Sequence, residues 1–465
     1  MNSIILSVLG KIGLFLLSTV LGMLGYLVFQ GNLLTKGSDE DAGAVVQDLI
    51  PHEVMNFNAE PVLLAETDKP VDISTDAQGI SYVLQRNGTI VRIARESFNK
   101  DLTTNDYAHL ENEASDHSLG FTALAFHPEF LVEDTAGYGK FYVVTTEVSG
   151  SGKADFLPEF GADEETHQDV LYEFTAKDPF SPNFEGDRRQ ILRFSQHGRE
   201  HNVSSLAFDH YGYLYIGTGD GAIEEVGKKS ASKNASSLTS AFGKVLRIDP
   251  LGFNSENGQY GIPETNPFRL VTDSLPEIWA FGLRAPYSLA YDPFQQRLCI
   301  GELGQDGKER VHLSHIGGEH FGWDLEASNS IINLAFRSQL ADIITRPLLT
   351  LDSTKGVIGS ATGSLIYRGE SFPSLSGKVI VASQDGQLMA ASPHSDTSRK
   401  LSVLEEIEIS DHHVKALRAS SSGELIVVCE DGSIFELRKR TALGEGRKKT
   451  RKLYCSISEV PVSQG

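Results

Sequence analysis

The segment at residues 201–221 carries the residue types of a proton-transfer site. His201 stands at its start and Asp220 near its end. Between them, an apolar alternation, a turn at 209–212 and a second β-rich run predict two short strands joined by a tight connection. An imidazole titrates near neutral pH and can act as a general base. At this point simpler roles stay open, because His201 could cap a strand and Asp220 could close a turn.

Two further stretches place polar residues at the ends of predicted strands. Arg284 stands in residues 281–286, directly before one strand, and the run 301–309 follows the partner of that strand. Residues 317–323 come next. A guanidinium at the start of a strand could bind a ligand, or it could pair with an acid of a loop.

The elements that would position these residues form a repeat. A short alternating strand, a turn with Gly, Asp or Ser and a second strand recur about six times, and long helical periodicity is absent from the body. Repeated antiparallel units predict an all-β fold, a six-bladed β-propeller. A pair of β-sandwich domains is the alternative. The copies lie at residues 79–93, 123–144, 201–221, 288–300, 363–367 and 416–428.

Long inserts separate some of the predicted strands. We expect the inserts at 146–167, 222–242 and 251–277 to form loops over one face, where functional sites tend to lie.

Charge and composition limit the function classes. The chain has 465 residues, 40% of them hydrophobic, and a net charge of −21. The run 438–452 holds eight Lys/Arg and one Glu, so the rest of the chain carries −28. This argues against nucleic acid as a partner of the main body. Three cysteines make no disulfide framework, and Cys299 and Cys429 are expected to be buried thiols.

The two ends of the chain differ from the body. Residues 12–29 are uncharged and mostly apolar, about enough for one membrane crossing. We expect a signal anchor or transmembrane helix at 1–30, with a cleaved signal or a buried helix as alternatives. Lys11 before the span and acids after it predict a cytoplasmic N-terminus and a periplasmic or extracellular body. A linker at 31–60, the propeller at 61–437 and a disordered basic tail at 438–465 complete the predicted organisation.

Taken together, the motifs from about residue 119 to 323, and more weakly to 437, resemble one family. The chain is similar to the soluble-type glucose/sorbosone dehydrogenases, quinoproteins that use pyrroloquinoline quinone (PQQ) and calcium on a six-bladed propeller. The motifs that carry the resemblance occur in the same order in both, at residues 120–130, 201–202, 217–221, 243–250, 260–268, 276–284, 301–305 and 321–323.

The resemblance implies a role for each candidate residue. His201 would be the base that takes a proton from a sugar hydroxyl, and Asp220 would orient its ring. Arg284 would stabilise negative charge on the reduced cofactor. Gln305 and Lys415, with His201 and Arg284, would contact PQQ. Glu309 and the Phe321 carbonyl would serve a calcium site.

The chain also departs from the family pattern. Val203 and Ser204 replace two glycines, and Ala285 replaces an asparagine that would contact the quinone. Ser118 stands where the family often has Gln or Glu. Four further departures concern the cofactor and metal sites: His413 and Lys415 stand in place of two arginines, Asp385 lies near a usual lysine, and Arg310 occupies the place of a second acid.

Two functions follow from this combination. The first is PQQ-dependent oxidation of a hydroxyl of an aldose-type sugar, with transfer of electrons to an acceptor that the sequence does not identify. The alternative is a cofactor-free propeller of the same fold that binds a glycan or a protein.

Overall fold

The computed structural model describes residues 53–440, except 56, 96–100, 112–119, 161–163, 222–232, 305–307, 324–343, 353–359, 394–400 and 405–411. The described residues form six sheets of four or five strands, in which nearly all neighbours are antiparallel. The predicted all-β six-bladed propeller is confirmed.

The first three blades each consist of four strands, named from the innermost strand outwards. Blade 1 contains β3 (Pro70–Thr75), β4 (Ser81–Gln85), β5 (Thr89–Arg95) and β6 (Leu102–His109). Blade 2 contains β7 (Phe121–Phe126), β8 (Lys140–Val148), β9 (His167–Ala176) and β10 (Gly186–Gln196). Blade 3 contains β11 (Val203–Phe208), β12 (Leu214–Thr218), β13 (Lys244–Ile248) and β14 (Ile278–Phe281).

The last three blades follow the same order, and two of them recruit a strand from the N-terminal side. Blade 4 contains β15 (Pro286–Asp292), β16 (Arg297–Glu302), β17 (Lys308–Ser314) and β18 (Leu349–Asp352). Blade 5 contains β19 (Ala361–Ile366), β20 (Val379–Ser383), β21 (Leu388–Ala391), β22 (Leu401–Leu404) and β1 (Glu53–Met55). Blade 6 contains β23 (Val414–Ala419), β24 (Leu425–Cys429), β25 (Ser433–Lys439) and β2 (Ala59–Glu66). Two short 3-10 helices lie at Lys233–Ala235 and Pro373–Leu375.

The alternating strand direction gives the propeller two ends. We call the end where the innermost strands begin the upper end, and the end where they finish the lower end. Loops from the second to the third strand, and from one blade to the next, lie at the upper end. The inserts at 146–167 and 222–242 belong to these upper loops. The expectation for 251–277 was wrong, because this insert joins β13 to β14 and therefore leaves the sheet from the lower end.

The ring is closed by strands from the two ends of the described chain. β2 pairs antiparallel with β25, from Ala59 opposite Lys439 to Glu66 opposite Ser433. β1 adds a parallel strand to the outer edge of blade 5 through β22. Closure pairs strand edges that would otherwise be exposed.

Apolar side chains fill the space between neighbouring blades. Val83 and Ile93 of blade 1, for example, pack with Ile426 and Val428 of blade 6. Burying a side chain of this size contributes ~1.5–3 kcal/mol. Cys299 and Cys429 are free and buried, as the sequence predicted. Burial raises the pKa of each thiol to about 12.

The turn from the first to the second strand has the same physical basis in blades 1 and 3. Asp76 Oδ1 accepts hydrogen bonds from the backbone N–H groups two and four residues later, and Asp209 does the same in blade 3. The second oxygen of each carboxylate accepts the hydroxyl of a tyrosine in the next strand, Tyr82 or Tyr215. These contacts fix the connection from the first to the second strand at the lower end.

Each innermost strand carries a β-bulge at its second residue. The register with the neighbouring strand shifts there in all six blades, which leaves one residue without a partner opposite it. A bulge re-aims the side chain of the extra residue. The six bulge residues are Val71, Thr122, Ser204, Tyr287, Thr362 and Lys415.

Polar contacts also join the innermost strands of successive blades. Asp72 in β3 accepts the backbone N–H of Leu124 in β7 at 3.1 Å and pairs with Nε of Arg418 in β23 at 2.9 Å. The hydroxyls of Ser204 and Ser205 both donate to the carbonyl of Pro286, in the next blade, at 3.0 Å. The Asp72 carboxylate therefore links three blades next to the axis.

The predicted anchor at 1–30 and most of the predicted linker and tail lie outside the described residues. No helix in the part of the chain that the structure describes is long and apolar enough to cross a membrane.

Replacing Asp72 should weaken the ring. Asp72→Ala removes one partner of a buried ion pair and leaves Arg418 uncompensated, which costs about 3–5 kcal/mol of unfolding free energy. Asp106→Ala is the matched control, because that side chain is 58% exposed, against 2% for Asp72. Surface pairs of this kind contribute about 0–1 kcal/mol. Urea unfolding of both variants measures the difference, and equal midpoints would contradict this role of Asp72.

Candidate functional site

The structure brings His201 and Asp220 into direct contact at the upper end of blade 3. His201 precedes β11 and Asp220 follows β12, so adjacent strands place both residues at the same edge. Nδ1 of His201 lies 2.6 Å from Oδ1 of Asp220, and their side chains are 4% and 0% exposed. Because a carboxylate accepts, the neutral ring carries its proton on Nδ1. Nε2 is then the basic nitrogen.

Further contacts hold the Asp220 side chain and backbone. The indole Nε1 of Trp323 donates to the second carboxylate oxygen of Asp220 at 2.8 Å. The Asp220 N–H donates to the carbonyl of Arg284 at 2.8 Å, and its carbonyl accepts from Nδ2 of Asn234 at 3.0 Å. These contacts fix the carboxylate that in turn orients His201.

His201 has a strained backbone. Its φ is 59°, in the left-handed region, which costs of order 1–3 kcal/mol for a residue other than glycine. Gly219 makes room for it, because a Cβ built on Gly219 would lie 1.9 Å from the His201 carbonyl oxygen. Glycine in the run 217–221 therefore allows the close approach of the two strand ends.

Arg284 lies beside this pair and is also buried. Its guanidinium lies 5.5 Å from the centre of the Trp323 ring, and Nη1 donates to the Gly304 carbonyl at 3.2 Å. The Arg284 N–H donates to Oε1 of Glu302 at 2.6 Å, and the other oxygen of Glu302 lies 2.8 Å from Nε2 of His312. A buried polar network thus connects blades 3 and 4 at the upper end.

A cavity of about 370 Å³ lies on the axis, within the ~300–1,000 Å³ range of small-molecule sites. All six bulge residues line it, so every blade contributes one side chain. Polar and charged groups converge there. The lining also includes Arg86, Phe121, Leu303, Ala361, Gln384, Val414, Ala416, Arg418 and Glu430.

Lys415 places a partly buried cation in this cavity. Burial lowers the pKa of its ammonium, and the nearby charge of Arg86 lowers that pKa further, while Glu430 raises it. The positive charge of the Lys415 ammonium is therefore not fully balanced by negative charge in the cavity. A bound carboxylate would supply the missing negative charge.

Several of the residues that differ from the family pattern lie away from the cavity. Asp385 is exposed and accepts a hydrogen bond from Ser383, while its neighbour Gln384 lines the cavity. His413 is exposed as well. Val203 is buried in the core between blades 2 and 3, and its N–H donates to Asp169 at 2.9 Å. Ala285 is buried, and its carbonyl accepts the N–H of Leu303.

The candidate metal ligands are not brought into one cluster. Glu309 is buried in β17, and within the described part of the chain neither of its carboxylate oxygens has a hydrogen-bond partner. Burial raises the pKa of Glu309 to about 8, although Arg284 opposes this. Glu309 lies on the same face of β17 as Val311, which packs towards blade 5, whereas the Phe321 ring packs on His312 on the other face of the strand.

No group of three or more His, Cys, Asp or Glu among the described residues could hold a metal ion. Calcium therefore stays a prediction. Gln305 and Ser118 lie outside the described residues, so the predicted contact of Gln305 with the cofactor stays a prediction too.

Sequence reasoning found the His201–Asp220 pair, Arg284 and Lys415, but it missed the residues that hold them. Trp323 was noted in a motif without a role, and Glu302, Asn234 and Lys244 were not singled out. The ammonium of Lys244 is fully buried and donates to the carbonyls of Asn234, Ala235 and Phe242. Lys244 is the first residue of β13, which also contains Arg247, and a lysine at the start of a short, largely apolar strand was a signal for this support.

These features define a class: six-bladed propellers with a buried histidine–carboxylate pair at the upper end and a polar cavity on the axis. Residues 67–436 match the sequence profile of the Glucose / Sorbosone dehydrogenase family. The chain belongs to this family, which confirms the resemblance seen in the sequence.

Individual relatives are distant. HIPL1 protein of Arabidopsis thaliana is 26% identical over 339 residues, which cover 64% of this chain and 46% of the relative. Aldose sugar dehydrogenase YliI of Escherichia coli is 25% identical over 313 residues, 64% of this chain and 75% of the relative. The matched region thus spans less than half of the Arabidopsis protein.

Solved structures share the fold. The PQQ-bound form of an aldose sugar dehydrogenase from Streptomyces coelicolor superimposes with a TM-score of 0.54 at 18% identity, covering 82% of this chain and 98% of that structure.

Adding a methyl group at Gly219 should displace His201. In Gly219→Ala the new Cβ would meet the His201 carbonyl, so we expect the contact from Nδ1 to Asp220 to break. A downfield proton NMR resonance from the hydrogen-bonded imidazole N–H should be present in the parent and absent in the variant. Gly258→Ala is the control for backbone strain without a collision, because its φ is 69° and nothing lies within 4 Å of a Cβ there. An unchanged resonance in Gly219→Ala would contradict the proposed close approach.

Proposed function

We propose that this chain oxidises a hydroxyl of an aldose-type sugar with PQQ as the cofactor. The observation that carries the proposal is the buried His201–Asp220 pair, held by Trp323 and by the backbone of Arg284 at the upper end of the propeller. A polar axial cavity lies at the same end; its wall includes Ser204, although His201, Asp220 and Arg284 do not line it. The family and the names of the Escherichia coli and Streptomyces coelicolor proteins agree with a sugar dehydrogenase, whereas the name of the Arabidopsis relative does not indicate this activity.

The cavity suits a cofactor that carries several carboxylates. Lys415 and Arg86 supply positive charge, and Gln384, Thr122 and Thr362 supply hydrogen-bonding groups along the wall. Glu430 is the acid among the described lining residues and opposes an anionic ligand in part. The lowered pKa of Lys415 indicates a cation that an anionic ligand would stabilise. Lys415, Arg86 and Gln384 would hold the cofactor.

The protein groups have separate tasks. When bound, PQQ supplies the acceptor for the hydride that leaves the sugar carbon. His201 takes the hydroxyl proton at Nε2, because Asp220 keeps the ring proton on Nδ1. The imidazolium that forms is stabilised by the Asp220 carboxylate 2.6 Å away. Arg284 adds a fixed positive charge beside the site.

Calcium has no role in the chemistry proposed for these residues. Ca²⁺ takes ~6–8 oxygen ligands. The described residues offer the unpaired carboxylate of Glu309, with the negative charge of Glu302 and the positive charges of Arg284 and Arg310 near it. No group of three or more acids, histidines or cysteines among the described residues could hold a metal ion there.

A binding function without cofactor is the second candidate. Ala285 removes an amide that the family resemblance places against the quinone, and Val203 turns the usual glycine into a core residue. In that case the same upper loops would bind a glycan or a protein. Binding of quinone to the purified protein separates the two candidates.

The first test is activity with added quinone. We expect the protein, supplied with PQQ and an aldose, to reduce an electron-accepting dye. His201→Ala should lower kcat by about 10²–10⁴-fold, because the general base is lost. His109→Ala is the control, since that ring is exposed in blade 1. Absence of both dye reduction and a quinone-induced absorbance change in the parent would overturn the proposal in favour of the binding function.

The second test uses the charge of Lys415. A carboxylate of the cofactor favours the protonated ammonium, so quinone affinity should fall as the pH rises through the lowered pKa of Lys415. Lys415→Met keeps the length of the side chain and removes the charge. We expect weaker binding, on the order of tenfold or more, and loss of this pH dependence. Titration of the absorbance at several pH values measures both effects, and a pH-independent affinity in the parent would argue against contact with Lys415.

A further inference from the structure

Both ends of the described chain leave the propeller on the same side. β2 begins at Ala59, and β25 ends at Lys439, the residue paired with it. β25 is the third strand of blade 6 and runs towards the lower end, whereas β2 starts there. Everything before residue 59 and after residue 439 is therefore connected to the lower end of the ring.

The sequences connected at this end match a lipid surface. Residues 12–29 are uncharged and mostly apolar, and the run 438–452 holds eight Lys/Arg and one Glu. A basic cluster is attracted to anionic headgroups. The rest of the chain carries −28, so an anionic surface attracts this run and repels the remainder. Charge alone would orient the protein with its lower end towards such a surface.

The lower loops of blades 2–4 add exposed apolar side chains. Tyr211 and Phe294 lie in the connections from the first to the second strand of blades 3 and 4, and they are 66% and 80% exposed. Eight of the twelve large hydrophobic side chains that are exposed in the described residues lie in connections that leave these three blades at the lower end. The eight are Val132, Phe180, Tyr211, Phe253, Leu270, Val271, Phe294 and Ile316.

Two of these side chains have aromatic or cationic neighbours. The ring centre of His210 lies 3.9 Å from that of Tyr211 and stacks on Tyr291 at 5.8 Å, and the hydroxyl of Tyr291 contacts Nδ1 of His210 at 3.2 Å. Arg368 lies 5.0 Å from the centre of the Phe294 ring. Amphipathic rings of this kind partition to the boundary between lipid and water.

We infer that the lower loops of blades 2–4 rest on the surface of a phospholipid bilayer with anionic headgroups. Tyr211 and Phe294 enter the headgroup region, and the basic run binds the headgroups beside blade 6. The axial cavity opens at the upper end and therefore faces away from the lipid. This inference concerns the surface and does not depend on the proposed dehydrogenase activity.

Site-specific labelling of the full chain tests the contact. Cys299 and Cys429 are buried, so Cys455→Ser gives a background without an accessible thiol. An environment-sensitive fluorophore (NBD) is attached to Phe294→Cys or Tyr211→Cys at the lower end. Leu157→Cys, at 61% exposed in an upper loop, is the matched control. Thermal unfolding before labelling verifies that each variant keeps the parental stability.

The labelled proteins are compared in detergent and after reconstitution into phosphatidylcholine vesicles with about 30% phosphatidylglycerol. We expect a blue shift and a several-fold gain in NBD intensity at positions 294 and 211, and no change at position 157. Salt raised from ~0.05 M to ~0.5 M should reduce the gain, as should deletion of the residues after 440. No change at the lower positions, or an equal change at position 157, would overturn the inference.

Discussion

Six innermost strands must converge on one axis, and this crowding shapes the rest of the molecule. If the innermost strand paired with its neighbour without interruption, no side chain would be free to turn towards the axis. Each innermost strand therefore carries, near its start, one bulge residue that has no partner on the neighbouring strand. The bulges supply the cavity wall, and they do so with one residue from each blade. Part of the chemistry of the cavity is thus set by six positions that the backbone selects. Lys415 and Ser204 are two of them, whereas exposed Asp385 does not line the cavity.

The buried acids and bases of the upper end form one connected support. Asp220 joins His201 to Trp323, and the backbone of Arg284 joins Asp220 to Glu302 and His312. Such groups are costly to bury unless each has a partner. The left-handed backbone of His201 adds strain that the surrounding contacts must offset. The arrangement lowers the stability of the fold and fixes the orientation of the His201 ring. Such a cost is expected at a site that transfers protons, and it is less expected at a loop that only closes a turn.

Sequence reasoning reached the fold because short alternating strands recur with a turn between them, as at residues 209–212. It reached the His201–Asp220 pair because both residues flank one hairpin. The closing strand β2 was not recognised as part of a blade, because its partner β25 lies at the other end of the chain and Pro61 interrupts its pattern. Alignment with the family placed Asp385 near the cofactor but could not show that its neighbour Gln384 faces the cavity. Glu302 and Trp323 gain their roles from contacts between blades, which no local pattern encodes.

The closure by β2 and β25 has a consequence for how the protein is made. Ribosomes add ~5–20 residues per second, so β2 emerges on the order of tens of seconds before β25 exists. During synthesis blade 6 cannot form, and β2 stays unpaired. Its free backbone N–H and C=O groups can then pair with other chains. Non-local pairing of this kind also folds slowly. The nascent chain is therefore most exposed to misassembly at the point when the other blades can already fold, and a chaperone that shields β2 until synthesis ends would raise the yield of closed rings.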